Sequence, residues 1–428
     1  MRFISLTLAV GFAFCGASEA SASDTDALTP AVRATVIEGV LARLASTYVD
    51  PDAAGQIAAA IRKRQEAGVY NAIANPAQFG EVVTQDLRSV NGDLHLGLRY
   101  SKESATEARR PASPFGEPSQ LNFGMGRAEI LDGNVGYLEI TAFTGGDYED
   151  AVVDALRFLS RTDAMIIDVR RNGGGASDMS HFIFSHFLGA KIVPTIDVRT
   201  RSSPEPQHRW SLAEVPGPRR PDVPLYLLTS QGTGSAAEEF SFVLKNKRRA
   251  IIVGRRTAGA GHMVAQIPLG NGFTVSLSIT RVSDPETGLE WEQVGVQPDI
   301  AVAPEQALPA AHVAAMKAIA ASITDLVRAA VLKRLIETVE ARGRAVPLSA
   351  PTLARFVGVY EGREVVARDG QLWYARRMGG LSEILIPLGG DRFALAALRL
   401  RFVEAAGTMT IVVEQSDGTE VTLPRTRQ

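Results

Sequence analysis

Between residues 32 and 48 the apolar positions Val32, Val36, Ile37, Val40, Leu41 and Leu44 recur every three to four residues, the spacing of one buried helical face. Pro51 suits the first turn of a second helix over 53–66, and a third helix-like stretch covers 76–90. Residues 28–90 therefore predict a small helical subdomain. Residues 94–100 read as a short strand, and 101–125, rich in Ser, Pro, Glu and Arg with little periodicity, as a linker.

From 134 onward short apolar runs alternate with helical ones. The pattern predicts strands at 134–140, 164–169, 225–228 and 250–253, and helices at 148–159, 179–188 and 235–244. Strands separated by helices favour an α/β core with parallel pairing. Two alternating strands between 263 and 282 flank Gly270-Asn-Gly272, a hairpin signal. A long Ala-, Leu- and Ile-rich helix is expected over 311–342, ended by Pro347. Beyond Phe356, short strands around turns such as Arg368-Asp-Gly-Gln371 predict an all-β accessory domain at 350–428. The organisation that follows is a signal at 1–22, a helical subdomain at 23–100, a linker at 101–125, an α/β core at 126–310, a long helix over 311–346 and the β domain.

Composition changes this picture at the N-terminus. Arg2, the apolar stretch 3–14 and Ala20-Ser-Ala22 have the form of a cleavable export signal, too short for a membrane span. The expected product is periplasmic or secreted, with no stable span after cleavage. Cys15 is the only cysteine, so the processed chain would have no disulfide. At 428 residues the chain can bury more than one core without such staples. A net charge of −2 gives no reason to expect a nucleic-acid partner. The helix at 311–342 offers a surface for a second copy.

Two segments carry chemistry. Asp168-Val-Arg-Arg-Asn-Gly-Gly-Gly175 follows a buried strand, and its glycines let backbone amides approach a substrate closely. Thr229-Ser-Gln-Gly-Thr-Gly-Ser-Ala-Ala-Glu-Glu-Phe240 puts Ser235 at a strand-to-helix turn, where its hydroxyl can attack a carbonyl while nearby N–H groups hold the oxyanion. A serine there also caps helices. The hydroxyl needs a base. Of six histidines, His95 in Gly92-Asp-Leu-His95 and His262 in Thr257-Ala-Gly-Ala-Gly-His262 are candidates, and local sequence does not choose between them. Glu292 is the main acidic candidate to orient the base; as an isolated residue it equally suits a surface. No H-E-x-x-H motif or compact Cys/His cluster occurs, so neither a metal nor a cofactor is expected.

These residues resemble the tail-specific, or C-terminal-processing, serine peptidase family (S41). The similarity lies in Gly136-Tyr-Leu-Glu-Ile140, residues 166–175, Leu228-Thr-Ser through Ser235-Ala-Ala-Glu, Val253-Gly-Arg-Arg-Thr-Ala-Gly259 and Gly295-Val-Gln-Pro-Asp299, in the family's order over roughly residues 90–305. The resemblance implies a ClpP/crotonase-like α/β core. Bacterial processing members use a Ser–Lys dyad with lysine in the glycine segment after the nucleophile; the segment 257–262 has none. The chain is more similar to the tricorn-type and retinoid-binding-protein-like branch. That similarity implies Ser235 as nucleophile, His95 as base and Glu292 as the downstream glutamate. The extra tetrad serine would fall near Leu94, where no hydroxyl stands. Residues 101–130 are too few for the PDZ domain of processing members. The C-terminal β region more weakly resembles domains of β-lactamase-related exported proteins.

The expected function is hydrolysis of peptide or protein substrates through a Ser-His-Glu acyl-enzyme, with Gly174 and Ala236 N–H groups at the oxyanion. Two other readings of the same residues are a non-catalytic binding protein for apolar ligands or peptides and a serine esterase for small acyl substrates.

Overall fold

The computed structural model describes residues 28–101, 117–203, 205–405 and 407–426. The expected export signal, and residues 102–116 of the expected linker, lie outside them.

Three helices open the fold: α1 (Pro30–Thr47), α2 (Pro51–Glu66) and α3 (Pro76–Arg88). Each begins with proline in its first turn behind an oxygen-bearing cap, Thr29, Asp50 or Asn75, whose side chain accepts N–H groups that a helix start leaves unpaired. Their apolar faces do not form a separate unit. Val36, Val40, Leu44, Ile57, Phe79 and Val83 pack with Leu98, Phe273, Val275 and Leu277, residues of β1 (Gly97–Tyr100) and β10 (Phe273–Ser283).

A short helical turn, Pro118–Gly124, leads from the linker into the core, whose elements are β2 (Met125–Leu131), β3 (Val135–Ile140), α4 (Glu149–Phe158), β4 (Ala164–Asp168), α5 (Ser177–Ser185), β5 (Pro194–Thr200), β6 (Gln207–Trp210), β7 (Leu225–Thr229), α6 (Ala236–Asn246), β8 (Ile251–Gly254), β9 (Met263–Gly270), β10 and β11 (Ile300–Ala301). The central sheet runs β11-β8-β7-β4-β3-β2, parallel except for β2, as alternating strands and helices predict. The strand period of two explains why its middle strands read as unbroken apolar runs. Met165, Ile167, Leu225 and Leu227 face one core with α4, α5 and α6, whereas Ala164, Ile166, Tyr226 and Leu228 face another, closed by the helices that follow β11.

A second, antiparallel sheet runs β1-β10-β5-β6, with β9 also on β10. The hairpin expected at Gly270-Asn-Gly272 is β9–β10, with Asn271 and both glycines at positive φ. Strands β5 and β6 carry no strong local pattern and were not expected.

The long helix expected over 311–346 is instead a pair, α7 (Pro304–Ser322) and α8 (Leu326–Arg344). Ile323 is extended (φ −86°, ψ 133°), and Asp325 accepts the N–H groups of Val327 and Arg328. The β-branched Ile323-Thr324 step and this cap start a new helix that folds back beside the first. A short α9 (Ala350–Phe356) then leads into eight antiparallel strands in sequence order: β12 (Gly358–Tyr360), β13 (Arg363–Arg368), β14 (Gln371–Ala375), β15 (Ser382–Gly389), β16 (Arg392–Leu395), β17 (Leu398–Ala405), β18 (Thr408–Glu414) and β19 (Glu420–Pro424). They enclose a core of their own around Phe356, Phe393 and Phe402.

Candidate active site

Ser235 stands between β7 and α6 with φ 51° and ψ −121°, a backbone conformation few side-chain-bearing residues adopt, and α6 starts at Ala236. Such strain persists only where surroundings enforce it, and two loops do so here. The 169–175 loop is stitched to the serine turn: Thr233 Oγ1 donates to Val169 O at 2.8 Å, Gly234 N–H to Asn172 O at 3.1 Å and Ser230 Oγ to Arg170 O at 2.6 Å. Gly174, at φ 106°, lies so close that a Cβ there would stand 2.7 Å from Gly234 O and 2.8 Å from Ser235 Cβ. The structure thus brings Ser235, Ala236 and Gly174 together. The Gly174 N–H, expected to face an oxyanion, donates to the buried Asn172 side chain at 2.9 Å (Oδ1).

The second constraint is Glu238, fully buried in the first turn of α6. Its carboxylate accepts the Ser235 N–H at 3.0 Å, the Thr257 hydroxyl at 2.5 Å and the N–H groups of Gly259 and Ala260, both at 2.7 Å. One carboxylate therefore fixes the serine turn and the glycine segment that leads to His262. Local sequence does not single out Glu238, because three of its four partners, Thr257, Gly259 and Ala260, lie on a distant segment.

The histidines come together through strand register. In β1–β10, Gly97 pairs with Ser276, so position 95 falls across from Ser278; in β9–β10, Ser278 pairs with Val264, two residues beyond His262. His95 and His262 thus approach from opposite sides of β10. Asp93 lies between them, with Oδ1 3.5 Å from His95 Nδ1 and Oδ2 3.6 Å from His262 Nδ1. It is fully buried and accepts Tyr48 Oη at 2.9 Å, Ser278 Oγ at 2.6 Å and the His95 N–H at 2.9 Å. Burial pushes the Asp93 pKa up, but His262, His95 and Ser278 outweigh it and hold the carboxyl well below the usual range. Asp93 is a site residue that sequence reading missed, although it stands two positions before His95 in the same motif.

Glu292 joins the cluster. One oxygen (Oε2) accepts the N–H groups of Gly261 at 2.6 Å and His262 at 3.0 Å and lies 3.8 Å from His262 Nδ1. Atoms of Asp93, His95 and Glu292 all lie within 4.8 Å of one another. Burial raises the Glu292 pKa above the ordinary carboxyl value, with His262 opposing and Asp93 adding to the shift. Burial alone would lower the His262 pKa, but Asp93 and Glu292 turn the net shift upward, toward the imidazolium. Glu292, expected to orient His95, sits nearer His262, and Asp93 touches both rings. The segment 257–262 spans the site: Ala260 holds to the serine side through Glu238, while Gly261 and His262 hold to Glu292.

His181, His186 and His312 each bond a backbone carbonyl elsewhere, at Trp210, Pro218 and Asp132, and His208 pairs with Asp197.

Residues 134–302 match the profile of Peptidase family S41. Among curated proteins, the chain is 28% identical over 250 residues to the carboxy-terminal processing protease CtpB of Bacillus subtilis (strain 168), covering 53% of this chain and 50% of that protein. It is 29% identical over 255 residues to a carboxy-terminal-processing protease of Bartonella bacilliformis, covering 55% and 57%. The chain spans about half the length of these relatives. Among solved structures, the photosystem II D1 C-terminal processing protease aligns at 25% identity and TM-score 0.35, over 40% of this chain and 43% of that one.

Proposed function

We propose that this chain, whose residues 134–302 match Peptidase family S41, hydrolyses peptide bonds through an acyl-enzyme on Ser235. The observation that carries this reading is the convergence of His95, Asp93 and Glu292 at one end of a loop whose other end is tied, through Glu238, to the Ser235 turn.

His95 takes the proton from the Ser235 hydroxyl as it attacks the carbonyl. Asp93 stands beside the ring and accepts the His95 backbone N–H, and Glu292 adds a second carboxylate. The Ala236 N–H, at the start of α6, stabilises the oxyanion together with an N–H of the glycine turn other than that of Gly174, which Asn172 already takes. The leaving amine takes the proton from His95, which then activates the water that releases the acyl group. Tyr48 and Ser278 bond Asp93, so removing either would loosen the carboxylate rather than the nucleophile.

The substrate class is peptide or protein, and the protein acts outside the cytoplasm after removal of residues 1–22. Among the described residues no helix is long and apolar enough to cross a membrane. The test is labelling of the processed protein by a fluorophosphonate, beside Ser235→Ala, His95→Ala and His262→Ala, followed by peptide and ester panels. Loss of labelling in Ser235→Ala and a strong fall in His95→Ala, with His262→Ala largely retained, is the expected result. The reverse order for the two histidines moves the base to His262. A folded wild type that does not label removes the acyl-enzyme reading.

A further inference from the structure

The groups that meet beside β10 have more ligating capacity than their hydrogen bonds use. Among the described residues that meet here, His95 Nδ1, His262 Nδ1 and Glu292 Oε1 are buried without hydrogen-bond partners. The Glu292 side chain is only 9% exposed. Asp93 Oδ2 is filled by the Tyr48 and Ser278 hydroxyls, whereas Oδ1 accepts only the His95 N–H and keeps a lone pair. Buried polar atoms left without partners are uncommon and point to an unseen ligand or to function.

Geometry narrows the ligand. The separation of 3.5 Å between Asp93 Oδ1 and His95 Nδ1 is long for a hydrogen bond. Two donor atoms about 2.0–2.2 Å from one tetrahedral ion stand roughly 3.3–3.6 Å apart, which matches that separation. The third donor, from Glu292, is within 4.8 Å of both. Two carboxylates would neutralise a dication, and a mixed imidazole–carboxylate set suits zinc better than magnesium or calcium.

We propose that Asp93, His95 and Glu292 bind Zn2+ as three protein ligands with one position left to water, and that the bound ion switches the site off by occupying His95. The binding half stands on the cluster alone; the inhibitory half rests on His95 as the base. Ser235 is not a ligand.

The test titrates the metal-free full-length processed protein with Zn2+ against a chromophoric chelator, and separately with Co2+ while recording its visible spectrum. One ion per chain is expected, with the intense visible absorption of low-coordinate Co2+. Affinity should fall roughly tenfold or more in Glu292→Gln and in His95→Ala, and stay unchanged in Ser235→Ala. Circular dichroism checks that each variant is folded, and the near-isosteric Glu292→Gln guards against a merely structural effect. Magnesium in excess should not compete. In the same samples Zn2+ should suppress fluorophosphonate labelling, with chelator restoring it. Absence of one-to-one binding, or equal affinity in wild type and both ligand variants, overturns the site. Binding at this site that leaves labelling intact keeps the site but overturns the switch, and with it His95 as the base.

Discussion

The Glu238 carboxylate accepts the Ser235 N–H at 3.0 Å from three residues further along the chain, forming the first turn of α6 around the strained serine. The same oxygen accepts the Ala260 N–H, so the serine turn and the histidine-bearing loop share one fixed point.

Glu238→Gln should therefore damage both. An amide in place of one carboxylate oxygen turns NH2 toward N–H donors inside a fully buried site. Hydrogen bonds to a charged group contribute about 1.5–3 kcal/mol each, so a loss of roughly 2–4 kcal/mol is expected in urea unfolding. Fluorophosphonate labelling should slow more than tenfold. Wild-type stability with wild-type labelling would refute the anchoring role.

Gly174→Ala should disable the site through sterics. The new Cβ would meet Gly234 O at 2.7 Å, Ser235 Cβ at 2.8 Å and Ala236 N at 3.0 Å, at a φ of 106° that disfavours alanine. Gly173 is the control, because a Cβ there meets nothing within 4 Å. Labelling and melting temperature should fall for Gly174→Ala and stay near wild type for Gly173→Ala. Equal behaviour of the two would contradict the close approach of the loops.

Strain at Ser235 predicts an order of stability between two inactive variants. Both Ser235→Ala and Ser235→Gly lose the hydroxyl, but only glycine relaxes at φ 51° and ψ −121°. Glycine should be the more stable by about 1 kcal/mol, the backbone relief of about 1–3 kcal/mol being partly offset by its greater unfolded-state freedom. Thermal unfolding of the pair reads this directly, and an alanine variant more stable than glycine would be inconsistent with strain.

Glu239, next along α6, predicts a pH dependence of stability. Burial pushes its carboxyl from 4.5 up to about 7, against the opposing effects of Arg209 and Ser177. The folded protein thus holds a proton that the unfolded chain has already lost between about pH 4.5 and 7, so this group makes stability fall as pH rises through that window and level off above it. Glu239→Gln removes the effect: relative to wild type it should gain about 3 kcal/mol between pH 4 and pH 8. A difference independent of pH would show that Glu239 ionises normally.

Much of the fold was legible because local rules were strong. The proline-led helices at 30, 51 and 76, the doubly buried runs at 164–168 and 225–229, and the Gly270-Asn-Gly272 turn each express a preference within a few residues. Strands β5 and β6 were not legible, because neither carries a strong local pattern and β5, on which β6 pairs, is held in the sheet by β10, far along the chain. The long helix failed as a prediction where Asp325 could cap inside an otherwise helical composition.

The sequence by itself determined that a strand-to-helix turn at Ser235 and a glycine loop after a buried strand would form, because glycines and a helix start act locally, but not the strained Ser235 backbone, which distant contacts enforce. It also determined the S41 resemblance, which depends on the order of such motifs. Only the tertiary structure decided which polar groups meet. Asp93 and His95 stand at the entry to β1, His262 before β9 and Glu292 beyond β10, and the antiparallel register of those strands brings them to one place. The physical reason is that hydrogen-bond register and burial act between segments up to two hundred residues apart, whereas propensity acts within a turn or two.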